Sequence, residues 1–411
     1  MIKGIINLPG DKSISHRVLI LASISKGKST IHNLSSSEDV KRTINILKKC
    51  GTQIIKNPNG STTIIGNQSF QSETKRFYCG NSGSTARFML GFLPSKGISG
   101  TLYGDKSLSK RPMDRVIEPL KKMGLHINSK STTLPVSFQA SSINTYSHIL
   151  KVPSAQVKTA LILASLSSKE AISIKDQFNT RDHTERLIEY LGYRDKESSK
   201  FIPEKFNYTV AGDISSAAFL ISASILIPRS KLIIEKLLYN KTRIGYINIL
   251  KKMGAHIRIY NKRIKYNEPI CDIEVNYTER LKGITLYPDD IISMIDEIPI
   301  FALVASYAHG KSKVIDGAEL RHKESDRIKA IIHNLQKFNV NIKETTNGFI
   351  INGPNKLHNT TISDFNDHRI AMMCVIAKLA ITGEIVKTDQ LSSLISISFP
   401  EFYKLIKKIY V

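Results

Sequence analysis

One short phrase recurs along this chain and constrains its fold more than any other feature. It reads INILKKCG at residues 44–51, IEPLKKMG at 117–124 and INILKKMG at 247–254. Each copy spaces its apolar residues as an amphipathic helix does, carries lysines in the last turn and ends on a glycine suited to a left-handed C-cap. Weaker copies end near residues 192, 340 and 411, which brings the number to six.

A second kind of helix alternates with the first. It opens on serines and other small residues and continues as a dense apolar stretch; its six copies lie at residues 15–31, 81–102, 153–174, 213–234, 295–315 and 367–386. The pairs recur at roughly 60 to 80 residues, a spacing too long for most solenoid repeats. We therefore predict an α/β protein of two similar domains, each of about 200 residues and three repeats. The apolar helices should be buried, with the lysine-rich helices outside them.

The composition narrows the classes of function. Among 411 residues, 59 Lys and Arg outnumber 35 Asp and Glu, and the formal net charge of +24 favours anionic partners. The four cysteines are far apart, with no Cys/His grouping at metal spacing, so we expect a cytoplasmic protein without a structural metal. No secretory stretch opens the chain, and the longest nearly apolar run, residues 214–227, is shorter than the ~20 residues of a membrane helix.

The amino ends of the apolar helices are candidate anion sites, because unpaired N–H groups and the helix dipole favour phosphates and carboxylates there. At the first end stand Lys12, Ser13 and Arg17, and the last two share a helix face. The alternative is a solvated charge pair beside a serine cap. At the second end, residues 79–87 (CGNSGSTAR) offer glycines and hydroxyls for close approach of an oxyanion.

Further charged groups precede other helices. Arg111 lies in a run of cations just before Pro112, which suits the first turn of a helix, and the alternative for that run is solvated surface. The densest group is ELRHKESDR at 319–327, where helical spacing would place Lys323, Glu324 and Arg327 on one face. Asp296 either caps the next apolar helix or acts as a base, and NDHR at 366–369 opens the last one.

These segments resemble, in order and spacing, the motifs of the 3-phosphoshikimate 1-carboxyvinyltransferase (5-enolpyruvylshikimate-3-phosphate synthase) family. The matching stretches are LPGDKSISHR, GNSGSTAR, GDKSLSKRPM, PSAQVKTALILASL, TRDHTER, MIDEIP, ELRHKESDR and FNDHRIAM, from residue 8 to about 402. The resemblance implies two domains, each of three βαβαββ units forming an inside-out α/β barrel, with the active site in the interdomain cleft. The implied domains are residues 12–211, and residues 1–11 together with 212–411.

The resemblance also implies an activity. The family transfers the enolpyruvyl group of phosphoenolpyruvate to the 5-hydroxyl of shikimate 3-phosphate and releases phosphate, a step of aromatic amino acid biosynthesis. It uses no metal and no organic cofactor. The implied partners are these two small molecules, with no specific nucleic acid and no membrane, and the implied state is a cytoplasmic monomer.

Site residues follow from the resemblance motif by motif. The shikimate 3-phosphate positions are Lys12, Ser13, Arg17, Ser154, Ala155, Gln156, Thr180, Asp296 and Lys323. The phosphoenolpyruvate positions are Lys12, Gly83, Arg111, Gln156, Arg327 and Arg369. Asp296 resembles the base near the accepting hydroxyl and Glu324 the acid that protonates the methylene carbon, with Lys12 as the third catalytic residue. One departure is Ile397, which stands where some members have a lysine.

Two other functions stay open at this point. UDP-N-acetylglucosamine enolpyruvyl transferases share the fold and chemistry, but they normally carry a reactive cysteine in the segment that corresponds to residues 104–111, which has none here. The strong basic charge also allows a nucleic-acid-binding protein, although no helix-turn-helix, zinc-finger or RNA-recognition signature is visible.

Overall fold

A computed structural model describes the whole chain except residues 68, 72–74, 130–131, 145, 169–171 and 194–200. Its helices are α1 Lys12–Ser23, α2 Glu38–Lys49, α3 Gly83–Ser95, α4 Asp114–Lys122, α5 Ala155–Ser165, α6 His183–Tyr190, α7 Ile214–Leu226, α8 Gly245–Lys252, α9 Pro288–Met294, α10 Ile298–Tyr307, α11 Arg327–Lys337, α12 His368–Thr382, α13 Asp389–Ser396 and α14 Phe402–Ile409. Short 3₁₀ turns cover Leu108–Lys110 and Ala318–His322.

The strands are β1 Lys3–Asn7, β2 Lys28–His32, β3 Gln53–Lys56, β4 Thr62–Ile65, β5 Arg76–Tyr78, β6 Gly100–Tyr103, β7 Ile127–Asn128, β8 Val136–Phe138, β9 Tyr146–Ile149, β10 Ile172–Lys175, β11 Asn207–Thr209, β12 Lys231–Leu238, β13 Ile257–Lys265, β14 Glu268–Asn276, β15 Thr285–Leu286, β16 Gly310–Val314, β17 Ile342–Thr345 and β18 Gly348–Gly353. No helix in the described part of the chain is long and apolar enough to cross a membrane.

The chain divides into two compact units. We call Gly10–Val210 with Tyr266–Glu268 the N unit, and Met1–Pro9, Ala211–Lys265 and Pro269–Val411 the C unit. The chain therefore leaves the C unit after Pro9 and returns to it at Ala211. A short second excursion places the turn between β13 and β14 in the N unit, where Glu268 Oε1 lies 2.7 Å from Nδ1 of His183.

Both kinds of helix form as predicted. The lysine-rich phrase ends α2, α4 and α8, and the glycines after it, Gly51, Gly124 and Gly254, have φ of 89°, 99° and 94°. Only glycine adopts such angles without strain, which explains why each phrase closes on this residue. The small-residue helices are α1, α3, α5, α7, α10 and α12, and most of their residues are buried.

Each complete repeat folds as a four-stranded sheet with one helix of each kind. The second repeat orders its strands β5-β6-β8-β7 and the fifth β15-β16-β18-β17, with the first pair of strands parallel and the others antiparallel. A parallel pair needs a crossover, and the buried helix α3 or α10 supplies it.

The first and fourth repeats exchange their first strands. Strand β1 precedes α1 in sequence but pairs with β12 of the C unit, whereas β11 precedes α7 but pairs with β2 of the N unit. This exchange is the structural reason for the crossings after Pro9 and after Val210. Residues 354–411, all of which the structure describes, keep α12 and α14 of the sixth repeat but form no strand.

Candidate active site

In the C unit, five charged side chains meet where three helices begin. Asp296 precedes α10, Glu324 precedes α11, Arg327 is the first residue of α11, and Asp367 and Arg369 lie at the start of α12. We call these five residues the Arg327 cluster. The local sequence explains the arrangement, because Asp326 and Asp367 accept backbone N–H groups as N-caps and so fix where α11 and α12 begin.

Arg327 holds the cluster together. Its Nε donates to Asp367 Oδ2 at 2.9 Å, its Nη2 to Glu324 Oε2 at 2.7 Å and its Nη1 to Asp296 Oδ1 at 3.4 Å. Only 1% of Arg327 is exposed. Burial by itself would lower the pKa of Arg327, but the Asp367, Glu324 and Asp296 charges outweigh burial and raise this pKa, so the guanidinium stays charged.

The pair Glu324–Arg327 forms, but not for the reason that the sequence suggested. Helical spacing from Lys323 to Arg327 was wrong, because α11 begins at Arg327 and residues 323–326 precede it. Glu324 instead reaches Arg327 from the connection between the 3₁₀ turn and α11. Lys323 is also near, since the Asp296 charge acts on it; burial is the larger effect and lowers the pKa of Lys323.

Asp296 is placed as a candidate base and not as a helix cap. The residue at the cap position of α10 is Glu297, while Asp296 Oδ1 lies 3.5 Å from Nε of Arg369 as well as beside Arg327. One carboxylate oxygen thus faces two guanidinium groups. Two carboxyl groups, of Glu324 and Asp296, and two guanidinium groups therefore lie within one small group. Carboxyl groups are able to give and take protons, and guanidinium groups are able to bind phosphates and carboxylates.

In the N unit, a second group surrounds the start of α1. Asp11 caps this helix by accepting the N–H of Ile14, so that Lys12 is its first residue. Lys12 Nζ lies 2.7 Å from Asp39 Oδ2, in the first turn of α2. We call Lys12, Ser13, Arg17 and Asp39 the Lys12 cluster. The lysine that the sequence proposed for anion binding is thus held by a carboxylate of its own chain.

Arg17 ties three helices together. Its Nε donates to Thr184 Oγ1 at 2.7 Å in α6, its Nη2 to Thr159 Oγ1 at 2.6 Å in α5, and its Nη1 to the Ser13 carbonyl at 2.7 Å. The guanidinium carbon also lies 4.8 Å from the centre of the Phe88 ring. The predicted shared face of Ser13 and Arg17 is present, and Arg17 supports the fold around it.

The start of α5 carries the next predicted positions. Ser154 caps this helix, Ala155 is its first residue, and Gln156 Nε2 donates to Ser84 Oγ at 3.0 Å at the start of α3. Thr180, before α6, donates its hydroxyl to Asp176 Oδ2 at 2.7 Å.

The buried Lys158 pairs with two carboxylates near Thr180. Its Nζ lies 2.8 Å from Asp176 Oδ2 and 2.7 Å from Glu185 Oε1. Burial acts to raise the pKa of Asp176, but the hydrogen bonds from Lys158 and Thr180 outweigh it, and the pKa is lowered.

Gly83 and Arg111 also come together. Gly83 is the first residue of α3, and a Cβ there would lie 3.4 Å from Arg111 Nη1 and 2.6 Å from Arg87 Nη1. Arg111 donates to Asn81 Oδ1 at 2.7 Å. Pro112 does not lie in a first helical turn as predicted, because α4 begins only at Asp114.

Every predicted site residue thus lies in one of two neighbourhoods, one in each unit. A hydroxyl group links the start of α2 to that of α3: Thr85 Oγ1 lies 3.2 Å from the carbonyl oxygen of Asp39, the partner of Lys12, and 2.8 Å from Ser82 Oγ. Ile397 follows α13 in the C unit. Charged residues of these neighbourhoods that the sequence analysis did not assign include Asp39, Arg87, Lys158, Asp176 and Asp367. Arg87 and Asp367 lie inside quoted motifs, so a search of helix caps and first turns would have found them.

Neither a metal-binding group nor an exposed thiol occurs among the described residues. No group of three His, Cys, Asp or Glu side chains is placed to hold a metal ion in that part of the chain. All four cysteines are buried as free thiols, and burial raises the pKa of Cys79 and of Cys50 to about 12. Neither thiol is therefore a nucleophile near neutral pH.

Comparisons with known proteins agree with one another. The family model for EPSP synthase (3-phosphoshikimate 1-carboxyvinyltransferase) matches residues 1–406. A protein of that name from Oceanobacillus iheyensis is 41% identical over 97% of this chain and 95% of its own, and one from Alkaliphilus oremlandii is 40% identical over 99% and 97%.

Solved structures give the same result. EPSP synthase from Acinetobacter baumannii superposes with a TM-score of 0.84 at 32% identity, covering 100% of this chain and 96% of that one. The enolpyruvyl transferase NikO from Streptomyces tendae, at 13% identity, shares the fold with a TM-score of 0.75 over 99% and 95% of the two chains.

Proposed function

Because the chain belongs to the EPSP synthase (3-phosphoshikimate 1-carboxyvinyltransferase) family, we infer that it transfers the enolpyruvyl group of phosphoenolpyruvate to the 5-hydroxyl of shikimate 3-phosphate. The observation that carries this inference at the atomic level is the Arg327 cluster. One buried guanidinium holds two carboxylates, Asp296 at 3.4 Å and Glu324 at 2.7 Å, and the reaction needs one base and one acid.

The two carboxylates have different tasks. Asp296 takes the proton of the 5-hydroxyl as its oxygen attacks C2 of phosphoenolpyruvate, while Glu324 gives a proton to C3. In the second half of the reaction C3 loses a proton to the Glu324 carboxylate, the bond from C2 to the phosphate oxygen breaks, and inorganic phosphate leaves with the proton that Asp296 took from the hydroxyl, so both carboxyl groups return to their starting states. The hydroxyl oxygen supplies the electron pair of the new C–O bond, the phosphate keeps that of the old one, and the enol double bond is restored, so no redox partner is needed.

The cations neutralise the substrates. Together the two substrates carry on the order of five negative charges, counting phosphates and carboxylate near neutral pH. We assign shikimate 3-phosphate to Lys12, Ser13, Arg17, Ser154, Ala155, Gln156, Thr180, Asp296 and Lys323. We assign phosphoenolpyruvate to Lys12, Gly83, Arg111, Gln156, Arg327 and Arg369. Arg87, whose Nη1 lies beside Gly83, joins the second set.

Burial of the thiols supports shikimate 3-phosphate over an aminosugar nucleotide as the acceptor. UDP-N-acetylglucosamine enolpyruvyl transferases normally carry a reactive cysteine, and Cys79 and Cys50 are not reactive.

We further propose that the protein acts as a monomer in the cytoplasm and that the two units correspond to the two domains of the family, with boundaries near residues 11 and 211.

The test is phosphate release from phosphoenolpyruvate with each acceptor in turn. We expect turnover with shikimate 3-phosphate and none with UDP-N-acetylglucosamine. Lys12→Ala, Asp296→Ala and Glu324→Ala should each abolish turnover while the melting temperature shows a folded chain. Turnover with the aminosugar nucleotide alone would reverse the assignment.

Lys26 provides a matched control for Lys12. Both lysines belong to the N unit and both pair with a carboxylate at 2.7 Å, Lys12 with Asp39 and Lys26 with Glu204, but the Lys26 side chain is 60% exposed against 19% for Lys12. Lys26→Ala should leave turnover unchanged. Equal losses in the two variants would show that the Lys12 effect is not specific to the site.

A further inference from the structure

Glu297 is a buried carboxylate that has no role in the proposed reaction. It occupies the cap position of α10, directly after the proposed base Asp296, and only 3% of it is exposed. Its side chain makes no capping hydrogen bond. Oε1 is buried and has no hydrogen-bond partner within the part of the chain that the structure describes. Because a buried carboxylate is costly in such a position, its presence needs an explanation.

Charged side chains lie on some of the elements around Glu297 and not on others. The elements packed on α10 are α7, α11, α12 and β18, of which α7 and β18 contain no titratable side chain. The starts of α11 and α12 bring Arg327, His368 and Arg369, and the segment that begins α8 adds two more charged or titratable side chains, Arg243 and Tyr246.

Arg243 and Ser215 stabilise the carboxyl from that segment and from α7. Arg243 is itself buried and donates its Nη2 to Ser215 Oγ at 3.0 Å. The Ser215 hydroxyl and the charges of Arg243 and Arg369 favour the ionised form of the Glu297 carboxyl and act to lower its pKa. Burial, the largest effect, and repulsion by Asp296 oppose them and raise the pKa of Glu297.

The repulsion between the two carboxylates acts in both directions. The negative charge of Asp296 raises the proton affinity of Glu297, and the negative charge of Glu297 raises that of Asp296 by the same interaction energy. Arg327 and Arg369 pull in the opposite direction on Asp296, because two guanidinium groups beside one oxygen make a carboxylate a weak base. The negative charge of Glu297 offsets this loss of basicity at Asp296.

We propose that Glu297, stabilised by Arg243 and Ser215, is a positioning residue that fixes Asp296 at the start of α10 and keeps it basic enough to take the substrate hydroxyl proton. The proposal rests on the proposed function, because it gives Asp296 the role of base. It treats Glu297 as acting through Asp296 and assigns it no contact with either substrate.

The test is the pH dependence of kcat and kcat/KM for Glu297→Gln, which keeps the shape and removes the charge. We expect kcat to fall about tenfold, a fraction of the range for general base catalysis, while both KM values change less than about twofold. The acid limb of the profile should move to lower pH by about one unit, because Asp296 loses a neighbouring negative charge.

Glu297→Asp separates charge from position. It keeps the anion but shortens the side chain, so we expect a lower kcat with the acid limb at the wild-type pH. Asp272→Asn is the matched control: Asp272 is a buried carboxylate of the C unit, in β14, with Arg263 at 3.7 Å, and its loss should leave the profile in place.

The outcomes of these measurements separate the role of Glu297 from the proposed function of the protein. An active wild-type enzyme whose acid limb is the same in Glu297→Gln overturns the inference and leaves the proposed function intact. A uniform loss of activity at every pH, together with a lower melting temperature, also overturns it, since that pattern indicates a structural role alone. A wild-type protein that does not turn over phosphoenolpyruvate and shikimate 3-phosphate refutes the proposed function itself.

Discussion

Asp367 supports the Arg327 cluster in two ways that substitution can separate. Its Oδ2 accepts Nε of Arg327 at 2.9 Å, and its Oδ1 accepts the N–H of Arg369 at 2.9 Å as the cap of α12. The residue is fully buried. Asp367→Ala removes both contacts, whereas Asp367→Asn keeps an oxygen for the cap but replaces the acceptor that faces Arg327 with an amide NH2 group, and so breaks the ion pair alone.

The expected magnitudes follow from those two contacts. Breaking one partner from a buried ion pair costs roughly 3–5 kcal/mol. Losing a helix cap costs about 1 kcal/mol more. We therefore expect Asp367→Ala to lower the free energy of unfolding by about 4–6 kcal/mol, while Asp367→Asn should lower it by about 3–5 kcal/mol, the cost of the broken ion pair without the loss of the cap.

Urea unfolding followed by circular dichroism measures both values. Thr388→Ala is the control for capping alone, because Thr388 caps α13 in the same unit and accepts the N–H of Leu391 at 3.1 Å. Its cost should be about 1 kcal/mol. If Asp367→Ala were no more destabilising than Thr388→Ala, the contact with Arg327 would contribute nothing, and the description of Arg327 as the centre of the cluster would be wrong.

Three further outcomes test the N unit. Arg17→Ala should weaken shikimate 3-phosphate binding in calorimetry and also lower the melting temperature, because the side chain donates to Thr159 and Thr184; unchanged affinity would contradict its assignment. Gly83→Ala should raise the KM for phosphoenolpyruvate by about tenfold, equivalent to about 1.4 kcal/mol, with the shikimate 3-phosphate KM unchanged, since the new Cβ would displace Arg87. Asp176→Asn should cost stability above about pH 4 and progressively less below it. The sign follows from the lowered pKa of the folded Asp176 carboxyl, whose stabilisation is complete above the unfolded pKa and is lost as the pH falls through the folded one.

The sequence predicted the helices of this fold because their signals are local. Apolar spacing, terminal lysines and a glycine in the left-handed region all lie within one turn or two of the element that they define, as Gly51 and Gly124 show. Strand exchange is different. That β1 pairs with β12 and not with β2 depends on register between segments more than 200 residues apart, at Lys3 and Lys231, and no local pattern encodes it.

The sequence named Asp296, Glu324 and Arg327, which the structure brings together, but it did not give the geometry that joins them. Helical spacing paired Glu324 with Arg327, and the pair exists, but Asp326 caps α11 and leaves Glu324 outside the helix. The same difficulty affected Asp296, because two adjacent acidic residues gave no local means to decide which one takes the cap position. The structure gives that position to Glu297. The two candidates for this cap differ by one position in the sequence, and helical periodicity does not resolve a difference that small.

What the sequence could not supply is the counter-ion of each cation. The net charge of +24 suggests a pocket of free positive charge, yet Lys12 is held by Asp39 at 2.7 Å and Arg327 by three carboxylates. Under the proposed assignment, an anionic group of a substrate competes with a protein carboxylate for each of these cations. Competition of this kind weakens substrate binding but keeps the buried guanidinium oriented, because an unpaired buried guanidinium would cost far more than a paired one. The proposal therefore counts the carboxylates as part of the binding site, and two of them, Asp296 and Glu324, are also the groups that move protons in the proposed reaction.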